Sequence, residues 1–138
     1  MLFRSAAKES PSSVDGVPYC CDGVPISCAM LTRAKSKYSQ SRVLNIFERC
    51  TLAHEKKHID DMNKQCDPKC NGPMKFPGTG FERTESECNA WGITVRCLSD
   101  AFYLYELTPA ESKELKELLG EAKTNKKSEC DLFGSFPK

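Results

Sequence analysis

The strongest constraint on the fold is a segment that carries two histidines four residues apart. Residues 26–67 contain neither proline nor glycine, and from Ser41 onward buried-type residues recur at spacings of three and four, the period of an amphipathic helix. We therefore predict a helix over about 41–65. His54 and His58, the only histidines of the chain, fall inside it. Because positions i and i+4 lie on one helix face, both imidazoles can reach the same metal ion.

The residues between these histidines complete a metal-binding pattern. Residues 54–58 read H-E-K-K-H, which matches H-E-x-x-H, and Glu55 stands close enough to the metal position to hold a water there. The alternative is an ordinary helix with two solvated histidines. That alternative does not explain why both histidines of the chain form one metal-ready pair, so we predict a Zn²⁺ site.

Two histidines do not complete a catalytic zinc site, which normally has three protein ligands and one open position. No third histidine exists, so the third ligand has to be Asp, Glu or Cys. Cys50 precedes His54 by four residues, but it lies about 12 Å from His58 along the helix, too far to share one ion with both histidines. We assign Cys50 to a disulfide or to the core.

A second predicted helix supplies better candidates for the third ligand. It begins at Thr84, where Thr84 and Glu87 have capping-box spacing, and it ends near Leu107. Glu85 and Asn89 share one face of this helix, whereas Glu87 lies about 200° around the axis and is occupied by the cap. An acidic residue such as Glu85 is also favoured in a first turn by the helix dipole alone.

At this point the chain resembles a known family. H-E-x-x-H followed on a later helix by E-x-x-x-D/N is the pattern of gluzincin-type zinc metallopeptidases, and residues 85–89 read E-S-E-C-N. The resemblance runs from about residue 50 to 100. It implies that His54, His58 and Glu85 bind Zn²⁺, that Asn89 hydrogen-bonds a ligating histidine, and that Glu55 is the general base.

The nine cysteines indicate an oxidising environment. Nine in 138 residues approaches the density of disulfide scaffolds, and an odd number leaves at least one cysteine unpaired within the chain. The first residues show no apolar segment of a Sec signal peptide. We expect several oxidised cysteines and a protein that is secreted or delivered to the periplasm of a target cell. A cytosolic protein with reduced thiols is the alternative.

The overall composition restricts the partners. A formal net charge of +1 argues against nucleic acid or an anionic membrane as the main partner, and no apolar run approaches the ~20 residues of a membrane span. We predict a tail or linker at residues 1–14 and one domain at 15–138. Its fold class is α+β and mostly helical, with an edge strand between residues 15 and 37. A third helix begins at a capping box, Thr108 to Glu111, and the last stretch, 123–138, is predicted to be a loop tied back by Cys130.

The small size, the cysteines and the missing signal also resemble the metallopeptidase toxin domains at the ends of bacterial secreted effectors. The two resemblances together imply a small zincin-like domain that hydrolyses a peptide or protein substrate. They also imply a cognate inhibitor (immunity) protein as a possible partner. Two alternatives stay open: a non-catalytic module stabilised by the same metal, and a disulfide-rich secreted binding protein whose histidines are incidental.

Overall fold

The computed structural model describes residues 15–62, 66, 72–74 and 80–137. The predicted tail at 1–14 and most of the predicted loop at 66–82 lie outside the described residues. The described part is α+β and mostly helical, which confirms the predicted class. Its elements are, in chain order, β1 (Gly16–Cys21), β2 (Val24–Ala29), α1 (Thr32–Lys37), α2 (Ser41–Met62), β3 (Gly72–Pro73), α3 (Gly80–Leu104) and α4 (Pro109–Gly134).

The three strands form a small antiparallel sheet in the order β2-β1-β3. Asp22 and Gly23 join β1 to β2 and have positive φ angles of 51° and 82°, as a two-residue hairpin turn of the Asp-Gly type requires. β2 lies at one edge of the described sheet, within the range where the sequence predicts an edge strand. β1 is the inner strand of this sheet. Its first residue, Gly16, lies against α2.

The main core lies between the three long helices. α2 contributes Val43, Ile46, Phe47 and Cys50, all 5% exposed or less, while α3 contributes Leu98 and Ala101 and α4 contributes Leu115, Leu118 and Ala122. These residues recur at helical spacing, so each helix buries one stripe and exposes the rest. α2 therefore packs against α3 and α4 through its apolar stripe, and it also contacts strands β1 and β2. No helix in the described part is long and apolar enough to cross a membrane.

Two predicted boundaries are wrong. α3 begins at Gly80 rather than Thr84, and the Thr84 hydroxyl donates to the Gly80 carbonyl at 2.6 Å, which is a contact within a helix and not a cap. The stretch predicted as a loop after residue 122 is helical to Gly134. The aromatic side chain of Phe133 contacts Phe81 there, so tertiary packing stabilises turns whose polar sequence gives little sign of burial.

The start of α4 agrees with the sequence. The Thr108 hydroxyl accepts from the Glu111 amide at 3.2 Å, and the Glu111 carboxylate accepts from the Thr108 amide at 2.9 Å. The predicted capping box is therefore confirmed.

Three disulfides connect the elements: Cys20–Cys66, Cys50–Cys97 and Cys88–Cys130. They confirm that several cysteines are oxidised, that Cys50 is not a metal ligand, and that Cys130 ties the end of the chain back. Among the described cysteines, Cys21 and Cys28 are not in disulfides; residue 70 lies outside the described part. Three disulfides fit an oxidising compartment.

We expect the Cys50–Cys97 bond to contribute about 4 kcal/mol to the free energy of unfolding, the value of the chain-entropy model for its separation of 47 residues. Urea unfolding of the double variant Cys50→Ala, Cys97→Ala measures the loss. The matched control is Cys88→Ala, Cys130→Ala, whose separation of 42 residues gives nearly the same expected loss in this model. A loss close to zero for the Cys50 pair, with the expected loss in the control, would contradict the prediction.

Candidate metal centre

Three side chains converge between α2 and α3. The Nε2 atoms of His54 and His58 are 3.2 Å apart, as expected for two histidines one turn apart on the same face. From α3, the Glu87 carboxylate lies 2.7 Å from His58 Nε2 and 4.0 Å from His54 Nε2. All three residues are largely enclosed by the fold, with the two histidines 8% exposed or less.

Two hydroxyls on α3 fix the orientation of the imidazoles. Thr94 Oγ1 is 2.9 Å from His54 Nδ1 and donates its own hydrogen to the Ala90 carbonyl. Ser86 Oγ is 2.8 Å from His58 Nδ1 and donates to Asp61 at 2.6 Å. Because each hydroxyl has given its hydrogen elsewhere, we assign it as acceptor of an Nδ1–H. That tautomer leaves the lone pair of each Nε2 directed at the other and at Glu87.

Such a cluster needs a proton or a metal ion between its members. Two imidazole lone pairs and a carboxylate at these distances repel one another unless a proton or a metal ion lies among them. Two nitrogens that bind Zn²⁺ at about 2.0–2.1 Å with tetrahedral angles stand about 3.3 Å apart, close to the observed 3.2 Å. The donor set of two imidazoles and a carboxylate fits a zinc site. The hydrogen bonds at each Nδ1 orient the two imidazoles, as is usual for histidines that bind zinc.

The structure does not bring Glu85 and Asn89 to this cluster. Both side chains are exposed, and Asn89 lines a different surface depression together with Arg96 and Lys126. The prediction that Glu85 faces the histidines is therefore wrong in register by two residues. The gluzincin pattern implied Glu85, and a capping box at Thr84 was expected to occupy Glu87. That box does not form because the helix already begins at Gly80.

The charges of the cluster follow from burial and proximity. Burial, with a smaller effect of neighbouring His58, lowers the pKa of His54 to about 4, so His54 is neutral at pH 7. Burial also acts to lower the pKa of His58, but the contact with Glu87 outweighs it and the pKa is raised. Burial acts to raise the pKa of Glu87, and His58 outweighs it, so that pKa is lowered. His58 and Glu87 thus each stabilise the charged form of the other.

Glu55 lies beside the cluster, but its pKa is shifted in the opposite direction to that of Glu87. It is 5% exposed, and one of its carboxylate oxygens and a nitrogen of each histidine all lie within 4.8 Å of one another. Burial raises the pKa of Glu55 to about 7, although His58 acts in the opposite direction. A carboxylate with a pKa near 7 is suited to take up and release a proton at neutral pH.

A pocket opens over the cluster between the start of β1 and α3. Its wall includes Gly16 on one side and Trp91 on the other, with Glu55 and His54 at the bottom. A Cβ at Gly16 would stand 2.7 Å from Thr51 Cγ2 and 2.9 Å from Glu55 Cγ, so only glycine allows β1 to approach α2 this closely. The Trp91 ring meets His54 edge to face, with centroids 4.6 Å apart.

Sequence reasoning missed Glu87, Ser86, Thr94 and Trp91 as site residues. A signal for Glu87 was present: residues 87, 94 and 98 are separated by about two and three helical turns, so Glu87 lies in line with the buried Leu98. That stripe faces α2 because Leu98 belongs to the core shared with α2. Extending the buried stripe from Leu98 toward the start of α3 predicts that Glu87 faces α2. The capping-box spacing from Thr84 instead assigned Glu87 to a cap.

No protein-family model, curated protein or solved structure matches this chain. The corrected register also departs from the E-x-x-x-D/N pattern, since the residue four positions after Glu87 is Trp91. The functional argument accordingly rests on the site residues.

Proposed function

We propose that this chain is a zinc-dependent peptidase, a small zincin-like domain, in which His54, His58 and Glu87 hold the ion. The observation that carries the proposal is the convergence of three proton-accepting groups: two Nε2 atoms 3.2 Å apart and a carboxylate 2.7 Å from one of them. Hydroxyls behind the imidazoles hold the lone pairs in that direction.

The proposed mechanism assigns one role to each remaining group. His54, His58 and Glu87 would hold the zinc ion, which would supply Lewis-acid chemistry: a lowered pKa for a bound water and polarisation of the scissile carbonyl. Glu55 takes a proton from the attacking water and delivers it to the leaving amine, a role supported by its position and by a pKa raised to about 7. The start of β1 at Gly16 shields Glu55 from bulk water and maintains its burial.

The substrate class follows from the shape and place of the pocket. The pocket reaches the surface beside Gly16 at the start of β1, so a peptide segment can approach Glu55 and the histidines from there. The three disulfides support action outside the reducing cytosol, so we extend the proposal to a secreted or delivered effector that acts in the periplasm of a target cell. A cognate inhibitor that covers the pocket is the partner expected for such an effector.

One observation favours a second function, a non-catalytic zinc-stabilised module. Glu55 is as close to the histidines as a metal ligand needs to be, and a structural zinc is closed by four protein ligands. Four ligands from His54, Glu55, His58 and Glu87 would leave no open position.

Metal content and hydrolysis together test the proposal. We expect the protein purified without chelators to contain one zinc ion per chain by mass spectrometry and to cleave an unfolded protein such as casein. Removing the metal with a chelator should stop the cleavage, and added Zn²⁺ should restore it. Cleavage that continues in the metal-free protein, or a protein that binds no zinc, would overturn the proposal.

A further inference from the structure

A second pocket adjoins the metal pocket on the α4 side. Asp15 and Trp91 line both pockets, so the two pockets are immediate neighbours. Apart from Asp15 and Trp91, this pocket is lined by residues of α1 and α4, namely Arg33, Gly120, Glu121, Thr124 and Asn125. A substrate chain lying across the zinc cluster in this direction would place a neighbouring residue in the second pocket.

The charged groups of this pocket are already paired. Arg33 binds Asp15 through two nitrogens, each at 2.9 Å, and approaches Glu121 at 3.5 Å. Glu121 also accepts from the Tyr38 hydroxyl at 3.2 Å and pairs with Lys37. The three charged residues that line the pocket, Asp15, Arg33 and Glu121, therefore all have a partner of opposite charge already. A charged ligand group would lose its hydration without gaining a free counterion.

The uncommitted hydrogen-bonding group is the amide of Asn125. It is exposed and has no hydrogen-bond partner among the described residues, so both its donor and its acceptor are available. The adjacent wall is open because residue 120 is glycine: a Cβ there would meet no atom within 4 Å. Glycine inside a helix costs up to about 1 kcal/mol relative to alanine, and the space it leaves belongs to this pocket.

We infer that this pocket is a specificity subsite that accepts an uncharged polar side chain, an amide or a hydroxyl, of the peptide substrate. Asn125 supplies the hydrogen bonds, the absent side chain of Gly120 supplies the space, and the paired charges reject acidic and basic side chains. The inference rests on the proposed peptidase function for its substrate, but its binding chemistry stands on the residues that line this pocket.

Trp91 provides a readout that does not depend on catalysis. It is the single tryptophan of the chain and lines both pockets, so ligand binding changes its fluorescence. The probes are blocked tetrapeptides that differ at one position, Gln, Glu, Lys or Leu. They are titrated into the zinc-loaded Glu55→Gln variant so that they stay intact. We expect the Gln peptide to bind on the order of fivefold more tightly, the effect of one net hydrogen bond.

Two variants connect that preference to the pocket. Gly120→Phe should fill the pocket and remove the preference, while Gly134→Phe, on the same helix and equally open, should retain it. Asn125→Ala, an exposed change that leaves the fold intact, should also remove it. A preference that persists in Gly120→Phe or Asn125→Ala, or the absence of any preference or binding, would overturn the subsite.

The same proteins separate this result from the fate of the proposed function. Casein hydrolysis by the zinc-loaded wild type tests the peptidase. Selective binding without hydrolysis would leave the subsite standing and remove the peptidase function. Hydrolysis without selective binding would support the peptidase function and remove the subsite.

Discussion

Replacing Glu87 by alanine is expected to abolish zinc binding at micromolar metal, whereas replacing Glu85 by alanine should leave the zinc content unchanged. Glu87 Oε1 is 2.7 Å from His58 Nε2, and its loss reduces three protein ligands to two, too few for a catalytic zinc site. Glu85 is exposed on the opposite side of α3, so its carboxylate cannot reach the ion. Dialysis against buffered zinc, followed by mass-spectrometric metal analysis, measures both.

Neighbouring variants sharpen this comparison. Ser86→Ala removes the group that holds His58 Nδ1 at 2.8 Å and should weaken zinc binding by about 10- to 100-fold. Asn89→Ala, the change expected to matter if the gluzincin register applied, should have no effect because the side chain is exposed. Zinc lost from Glu85→Ala and kept in Glu87→Ala would show that the contact between Glu87 and the histidines does not represent the zinc-bound site.

Glu55→Gln is expected to keep the zinc ion and to lower the hydrolysis rate by about 10²- to 10⁴-fold, the usual contribution of a general base. Glutamine preserves the shape of the buried side chain but cannot accept a proton from water. Metal analysis and a casein assay on the same preparation give the two quantities. Glu48→Gln is the matched control, since Glu48 is an exposed glutamate on the same helix.

The same variant decides between the two candidate functions. In the catalytic site Glu55 binds no metal, so zinc stays at full occupancy when activity falls. In a closed structural site Glu55 is the fourth ligand, and its replacement weakens zinc binding. Zinc lost together with stability in Glu55→Gln would therefore assign the chain to the non-catalytic module.

Local spacing was enough to predict several parts of the site and of the fold. The pair His54 and His58 converges because four residues make about one helical turn, whatever the rest of the chain does. The capping box at Thr108 likewise depends on groups only a few residues apart. For these features sequence neighbours are also spatial neighbours, so the pattern determines the contact.

The contacts between distant residues were decided only by the tertiary structure. Glu85 and Glu87 have the same chemistry, and the choice between them depends on which face of α3 packs against α2, which Leu98 and Ala101 determine. The pairing of Cys50 with Cys97 and the helical end of α4 depend on the same packing. The sequence by itself therefore determined that a metal-ready histidine pair exists. Only helix packing, driven by burial of the apolar surface shared by α2, α3 and α4, decided which carboxylate faces it.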